Sequence, residues 1–468
     1  MSSEIYQLDF SRPEKVFFVG IGGISMSGLA EILADAGFSV SGSDRDKSAI
    51  TEGLEKKGIK VFYGQKKENI TPDIDCVVFT SAIHPDNPEY IATMELGLKY
   101  LNRAQLLGQI MKNYQMPVAI SGTHGKTTTT SMISQILLDA EKDPTLSIGG
   151  VLKAIGGNVR VGGPEFFVTE ACEYTNSFLE FFPKVGVIMN IEEDHLDFFK
   201  DLADIRNSFR RFAQLLPEDG TLIICGDIPN YKEITDGLCC KVVTFGEGKI
   251  DSCGGNMDYY PENIVFNDFG RATFMAVNAG VARKVELQVP GQHNVINALG
   301  ALAISDCLGI DAELGAKALH SFTGTDRRFE YKGEINGVTI IDDYAHHPTE
   351  IEVTLRAASK MEYKTLWVVF QSHTYTRTKA FLPEFVKALS LADKVVMPDI
   401  YAARETDNLG VSSKILCDEL NKLGTESYYI QDFKEIEKFL LENCTKGDLL
   451  ITMGAGEAYK IGEAMLNS

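Results

Sequence analysis

The run Gly122-Thr123-His124-Gly125-Lys126-Thr127-Thr128 constrains this chain most, because it joins the apolar stretch 117–120 to a helix-forming segment over 129–140. Strand, glycine-rich loop and helix in that order demand a parallel α/β sheet, with the loop at a strand's carboxyl end and a helix N-terminus aimed at phosphate. All seven residues of the run are expected to bind ATP, with Lys126 reaching the terminal phosphates and the Thr127 hydroxyl offering an oxygen to Mg²⁺. Only two residues separate Gly122 from Gly125, where the general phosphate loop has four, so this is a shortened form of the motif. The bland alternative is a Gly/Thr-rich turn that merely starts a helix.

Two strand ends downstream carry groups that can hold a metal beside such a loop. The run 166–169 leads into Glu170, and the run 185–190 leads into Glu192-Glu193-Asp194-His195. Parallel sheets present ligands at the carboxyl ends of their strands, so Thr127, Glu170 and His195 are expected to share one Mg²⁺, with Mn²⁺ an option because a histidine is an unusual Mg²⁺ ligand. Residues 241–290 alternate in short stretches that predict an antiparallel excursion from the main sheet. Gly291-Gln292-His293-Asn294 then opens a long apolar helix through Leu308. Asn294 either reads an adenine edge or simply caps that helix. Arg327 and Arg328 follow at a boundary, where such a pair can close over a triphosphate.

Upstream, the strand 15–19 runs into Gly20-Ile21-Gly22-Gly23-Ile24-Ser25, a helix ended by Gly37, and a second strand that stops at Asp44. The unit is a nucleotide-binding βαβ with an imperfect fingerprint, since Ser25 stands where a third glycine belongs while Asp44 falls where a ribose-binding acid would. A nicotinamide site, a site for another nucleotide-linked ligand and a structural turn all stay open at Gly20, Gly22, Gly23 and Asp44. The strand 76–83 adds Ser81 at its end.

The last third alternates again, with strands predicted over 338–342, 365–370, 394–398, 426–430 and 448–452 and a tight hairpin at Asn336-Gly337. Its strand ends are dense in reactive groups: Asp342-Asp343-Tyr344-Ala345-His346-His347-Pro348 after one, His373-Thr374-Tyr375-Thr376-Arg377 after the next. His346 or His347 is a candidate general base, given the ordinary imidazole pKa, and Pro348 suits the first turn of a helix.

At 468 residues the chain needs about three cores, drawn here as 1–114, 115–325 and 326–468. A net charge of −20 argues against a nucleic-acid or anionic-membrane surface, and no run approaches the ~18 apolar residues of a membrane span. Met1 to Phe10 shows no export signal, and the nine scattered cysteines are most simply reduced thiols, so a cytoplasmic protein is expected, as monomer or homodimer.

Taken in order, GIGGISMSG (20–28), GTHGKTTTT (122–130), EACEY (170–174), NIEEDHLD (190–197), GQHNVINA (291–298), RRFE (327–330), DDYAHHPTE (342–350) and HTYTRT (373–378) resemble the Mur ligase family over nearly the whole chain. The resemblance implies three α/β domains: a Rossmann-like N-terminal domain, a central P-loop ATPase-like domain and a C-terminal Rossmann-like domain. It implies a UDP-sugar on the first, at Gly20, Gly22, Gly23, Asp44 and Ser81, ATP on the second and an amino acid on the third. It further implies that Lys126 and Thr127 bind phosphate and metal, Glu170 and His195 serve Mg²⁺, Asn294 reads adenine and Arg327 touches ATP. The implied substrates are UDP-N-acetylmuramate, L-alanine and ATP, joined through an acyl phosphate, with Lys126, His346, His347, Arg327 and Arg377 as the catalytic set. Two other readings are a recycling ligase that attaches a whole peptide to the same sugar, and a nicotinamide oxidoreductase built on the first domain.

Overall fold

In the computed structural model, which describes residues 6–80, 83–403 and 405–468, the chain forms three sheets. Ser81 lies outside the described residues. The first sheet has five parallel strands in the order Lys60–Tyr63, Ser39–Asp44, Lys15–Val19, Cys76–Phe79, Lys99–Asn102. Its two central strands, Lys15–Val19 and Cys76–Phe79, are buried almost throughout, which is why they read as continuous apolar runs without alternation.

The second sheet has ten strands, and the phosphate-loop strand Met116–Ser121 lies inside it, between Phe166–Glu170 and Val185–Ile188. Pairing sets Ile120 opposite Glu170 and Ser121 opposite Ile188, so three strands end level with one another. That register brings Glu170 and the turn after Ile188 to the loop. The expected antiparallel excursion is present as Tyr259–Phe266, Arg271–Asn278 and Val281–Pro290, which extend the same sheet at one edge.

The third sheet orders Glu330–Ile335, Val338–Asp343, Leu449–Met453, Leu366–Phe370, Lys394–Met397 and Glu426–Tyr429, and only the first of these runs antiparallel. The hairpin that creates it turns on Asn336 and Gly337, both at positive φ as a two-residue turn of this hand requires. Every strand predicted here from sequence is found within a residue or so.

The cores divide unevenly. One continuous apolar cluster takes in side chains of both the first and second sheets, from Phe18 and Leu33 to Ile120 and Leu302, whereas the third sheet keeps two clusters of its own. The first two units are thus fused through a shared interior. Helix Arg103–Met111 presses its Gly108 so closely on the backbone near Glu180 that an added Cβ would stand 1.9 Å from the Glu180 carbonyl oxygen. Gly108→Ala is therefore expected to destabilise the protein by roughly 1–3 kcal/mol, the usual cost of overpacking a rigid interface, and calorimetry should show a lowered Tm. An unchanged Tm would mean that the helix and the second unit are not held in this contact.

Candidate functional site

The helix Lys126–Asp139 begins at Gly125, which has φ of +81° and stands so near Asn297 that a Cβ would lie 2.6 Å from its Oδ1. Only glycine satisfies both conditions. Asn190 clamps the loop from the neighbouring strand end: its Oδ1 accepts from the His124 N–H at 2.7 Å and its Nδ2 donates to the His124 carbonyl at 2.9 Å. Lys126 folds back on the loop, donating to the carbonyls of Gly122 and Thr123 and pairing with Glu173 at 3.1 Å. Burial works against its charge, yet the Glu173 carboxylate outweighs burial and raises the lysine above its ordinary range.

The Thr127 hydroxyl donates to Glu170 Oε2 at 3.0 Å, and Glu170 Oε1 accepts from the Gly149 N–H at 2.6 Å. Two oxygen donors therefore meet beside the loop, as a hard cation requires. His195 does not join them directly. It sits at φ of +53°, packed on Tyr174 with ring centroids 4.5 Å apart, and its Nε2 is 4.0 Å from Glu173 Oε1. Glu173 is thus the link between Lys126 and His195, and burial holds the imidazole below its usual pKa.

A cavity of about 430 Å³ opens against the loop, lined by Gly125, Thr127, Asn294, Asn297, Arg328 and Asp343 among others. Asn294 is not a cap, because Gly291 occupies that position and Asn294 lies in the first turn of Gln292–Cys307. Its Nδ2 donates to the Pro290 carbonyl at 2.7 Å and its Oδ1 accepts from Asn297 at 3.1 Å. Of the two boundary arginines, Arg328 lines the cavity, with Nη2 3.5 Å from the Thr127 hydroxyl. Arg327 turns away from it, donating to Asp342 at 3.0 Å and to the Gly454 carbonyl at 2.7 Å between the rings of Tyr344 and Tyr459. Across the cavity Asp343 is pushed up to about 6 by burial, with Arg328 opposing the shift.

The third unit reaches over the loop. His347 caps the helix Pro348–Ala358, taking the Thr349 N–H on Nδ1 while its Nε2 lies 3.1 Å from the Glu193 carbonyl. His346 directs Nδ1 to the Tyr344 carbonyl at 3.0 Å. Burial pushes His346 down to about 3 and lowers His347 as well, so neither keeps the ordinary imidazole pKa that the sequence suggested for a base. Arg377, buried, holds Asp194 Oδ1 through Nε and Nη2 at 3.2 and 2.9 Å. Burial of Asp194 opposes its ionisation, but Arg377 prevails and keeps the carboxyl well below the usual range. A second cavity of about 290 Å³ lies here, lined by Tyr174, Asp194, His195, His373, Arg377 and Glu405.

In the first unit the Gly22 N–H donates to Asp44 Oδ2 at 2.8 Å, the N–H groups of Gly20 and Ile21 donate to the Ser43 carbonyl, and Gly23 precedes the helix Ile24–Asp35. Arg103, unnoticed in the sequence, donates to Ser25 Oγ at 3.1 Å. Glu173, Asn190, Glu192 and Asp194 were also missed as individuals although their motifs were singled out, because strand-end motifs do not tell which acid turns inward. Glu350 had a legible signal: it is the third helical residue after the capping His347, the position whose side chain returns to the cap.

Phosphate loop, paired oxygen donors and an α/β unit closing over both define an ATP-dependent ligase architecture, and the chain belongs to the Mur ligase family. The family's catalytic domain matches residues 15–115, its middle domain 120–305 and its glutamate ligase domain 327–456. The chain is 56% identical to the UDP-N-acetylmuramate–L-alanine ligase of Agathobacter rectalis over 463 residues, 99% of this chain and 100% of the relative. It is 55% identical to the enzyme of the same name from Lachnospira eligens, with equal coverage. Among solved structures, the UDP-N-acetylmuramate-alanine ligase of Thermotoga maritima superposes with a TM-score of 0.79 at 31% identity, covering 97% of this chain and 98% of that one. A murein peptide ligase from Psychrobacter arcticus shares the fold at a TM-score of 0.71 and 24% identity.

The seam between loop and third unit also sets a pH dependence. His124 Nδ1 lies 3.1 Å from Glu350 Oε1 and its Nε2 3.4 Å from Glu192 Oε2. Burial disfavours the imidazolium, but the two carboxylates prevail and raise His124 to about 9. A raised pKa means that this stabilisation is complete below the ordinary value of about 6.5 and is lost as pH climbs through about 9. Metal-free protein should accordingly lose Tm between pH 6.5 and 9, and Glu350→Gln should flatten that slope. Identical slopes in the two proteins would remove the His124 pairing as its source.

Proposed function

We propose that this chain joins L-alanine to the lactyl carboxylate of UDP-N-acetylmuramate at the expense of ATP, through an acyl phosphate, and so supplies peptidoglycan precursor synthesis. The reading is carried by the full-length 56% likeness to a ligase of that name together with the loop, lysine and oxygen-donor geometry at the strand ends. The first unit is assigned the UDP-sugar, the second ATP and the third the amino acid. Its nine cysteines are free of disulfides and no described helix is long and apolar enough to cross a membrane, which supports the cytoplasm as its place of work.

ATP is assigned to the larger cavity, with Asn294 reading the adenine and the residues Gly122 to Thr128 wrapping the phosphates. Arg328, which lines that cavity, is the better candidate for the triphosphate contact. Arg327 is proposed to stiffen the hinge. Thr127 and Glu170 would hold Mg²⁺, which when bound supplies positive charge beside the phosphates. The lactyl carboxylate attacks the γ-phosphorus and ADP departs, while Lys126 exchanges Glu173 for the transferring phosphoryl group, whose charge it offsets. The L-alanine amine then attacks the acyl carbon and inorganic phosphate leaves. Before attack the ammonium must lose a proton; His346 and His347 are the candidate acceptors on this side of the seam, and since burial lowers both, either would need that burial relieved by substrate to act as a base.

Three outcomes are expected. In an assay of phosphate release with ATP and UDP-N-acetylmuramate, L-alanine should drive turnover ahead of peptides, and a preference for the peptide would favour a recycling ligase. Lys126→Ala should lose turnover on the order of 10²–10³-fold while keeping UDP-sugar affinity, and near-normal turnover would end the phosphate-loop assignment. With ¹⁸O in the lactyl carboxylate, one label should emerge in released phosphate; retention of both labels in the product would exclude the acyl phosphate.

A further inference from the structure

His124, Glu192 and His347 place one candidate ligand atom each within 4.8 Å of the others. The cluster is distinct from the Thr127 and Glu170 pair, and it spans two units, since His124 and Glu192 belong to the second sheet's loops and His347 opens the helix Pro348–Ala358 of the third. Its surroundings are those that orient metal ligands. Each imidazole has its far nitrogen beside an acceptor: His124 Nδ1 is 3.1 Å from Glu350 Oε1, and His347 Nε2 is 3.1 Å from the Glu193 carbonyl. An acceptor placed there fixes the tautomer; at His347 the other nitrogen, Nδ1, takes the Thr349 N–H at 3.4 Å, a long bond that a cation would have to displace. The inward nitrogen of His124, Nε2, is buried and makes no hydrogen bond. Glu192 Oε2 stands 3.4 Å from it, close to the ~3.3 Å edge of a tetrahedron with bonds of ~2.0–2.1 Å. Glu192 is itself oriented by the Thr349 hydroxyl at 2.9 Å.

We propose that His124, Glu192 and His347 form a site for a divalent transition-metal ion of the zinc class, which staples the third unit to the phosphate loop. Two imidazoles and one carboxylate suit zinc and exclude magnesium, which prefers oxygen throughout. Binding displaces the proton that Glu192 and Glu350 otherwise hold on His124, and that proton passes to solvent. The fourth position is open to water. The three candidate atoms lie within 4.8 Å of one another, so small side-chain adjustments across the seam bring them to the edges of a tetrahedron. The staple does not rest on the ligase reading.

The test uses the full-length, untagged, metal-free chain in excess Mg²⁺, titrated with Co²⁺. One equivalent should produce the intense visible absorption of a four-coordinate centre, removable by Zn²⁺, and the band should vanish in His347→Gln and Glu192→Gln variants that keep a cooperative thermal transition. No such band in the parent, or an equal band in both variants, would overturn the site. A second measurement needs no variant: crystals soaked in Zn²⁺ should give an anomalous peak within bonding distance of His124 Nε2 and Glu192. Anomalous signal only at Glu170 or His195 would overturn it as well.

Discussion

The buried pair between Arg377 and Asp194 holds the catalytic cleft together. Neither partner is tolerable alone in that position: a guanidinium or a carboxylate buried without its counter-charge costs several kcal/mol, so removal of either leaves the other stranded. The pair joins the strand end that follows Ile188 to the short helix Tyr375–Ala380, and it thereby fixes how the third unit sits over the phosphate loop. His347 to the Glu193 carbonyl, Thr349 to Glu192 and His124 to Glu350 are further contacts across the same seam. All are polar. Such a seam can open into water at modest cost, because each group there exchanges a protein partner for solvent.

The division of the cores points the same way. The first and second units share one apolar interior, and parting them would expose side chains such as Leu106, Phe178 and Phe181. The third unit is self-contained, with Trp367, Phe370 and Ile451 in its own clusters. Motion is therefore expected between the third unit and the other two, about the segment from Gly324 to Phe329, where Gly324, Arg327 and Phe329 all hold positive φ. Lys126 and Thr127 sit on one side of that hinge and His346 and His347 on the other, so closure changes the distance between the two sets.

Within the loop itself, the problem solved is that of a buried lysine that must keep its charge. Glu173 favours the charged form of Lys126 against burial, and the ammonium is held against the loop carbonyls. The same carboxylate lies near His195, which ties the histidine to the lysine and not to the Thr127 and Glu170 pair.

Much of this was legible in the sequence. The strand, loop and helix at 117–140, the antiparallel excursion before residue 290, the Asn336-Gly337 hairpin and the alternating strands of the last third all follow from periodicity and turn chemistry, which are local properties. What the sequence left open were choices between neighbours. It could not tell that Arg328 and not Arg327 faces the cavity, that Asn294 lies past the cap, or that His347 is engaged on both nitrogens while His346 turns Nδ1 to the Tyr344 carbonyl. Those outcomes depend on where a side chain points after two sheets have packed and on how much water their contact excludes. Burial disfavours the charged form of His346 and His347, whereas two carboxylates beside His124 outweigh burial and favour it there. The sequence alone determined which chemistry was on hand and at which strand ends; tertiary packing decided which of those groups meet, and in which protonation state, because desolvation and through-space charge exist only once the chain is folded.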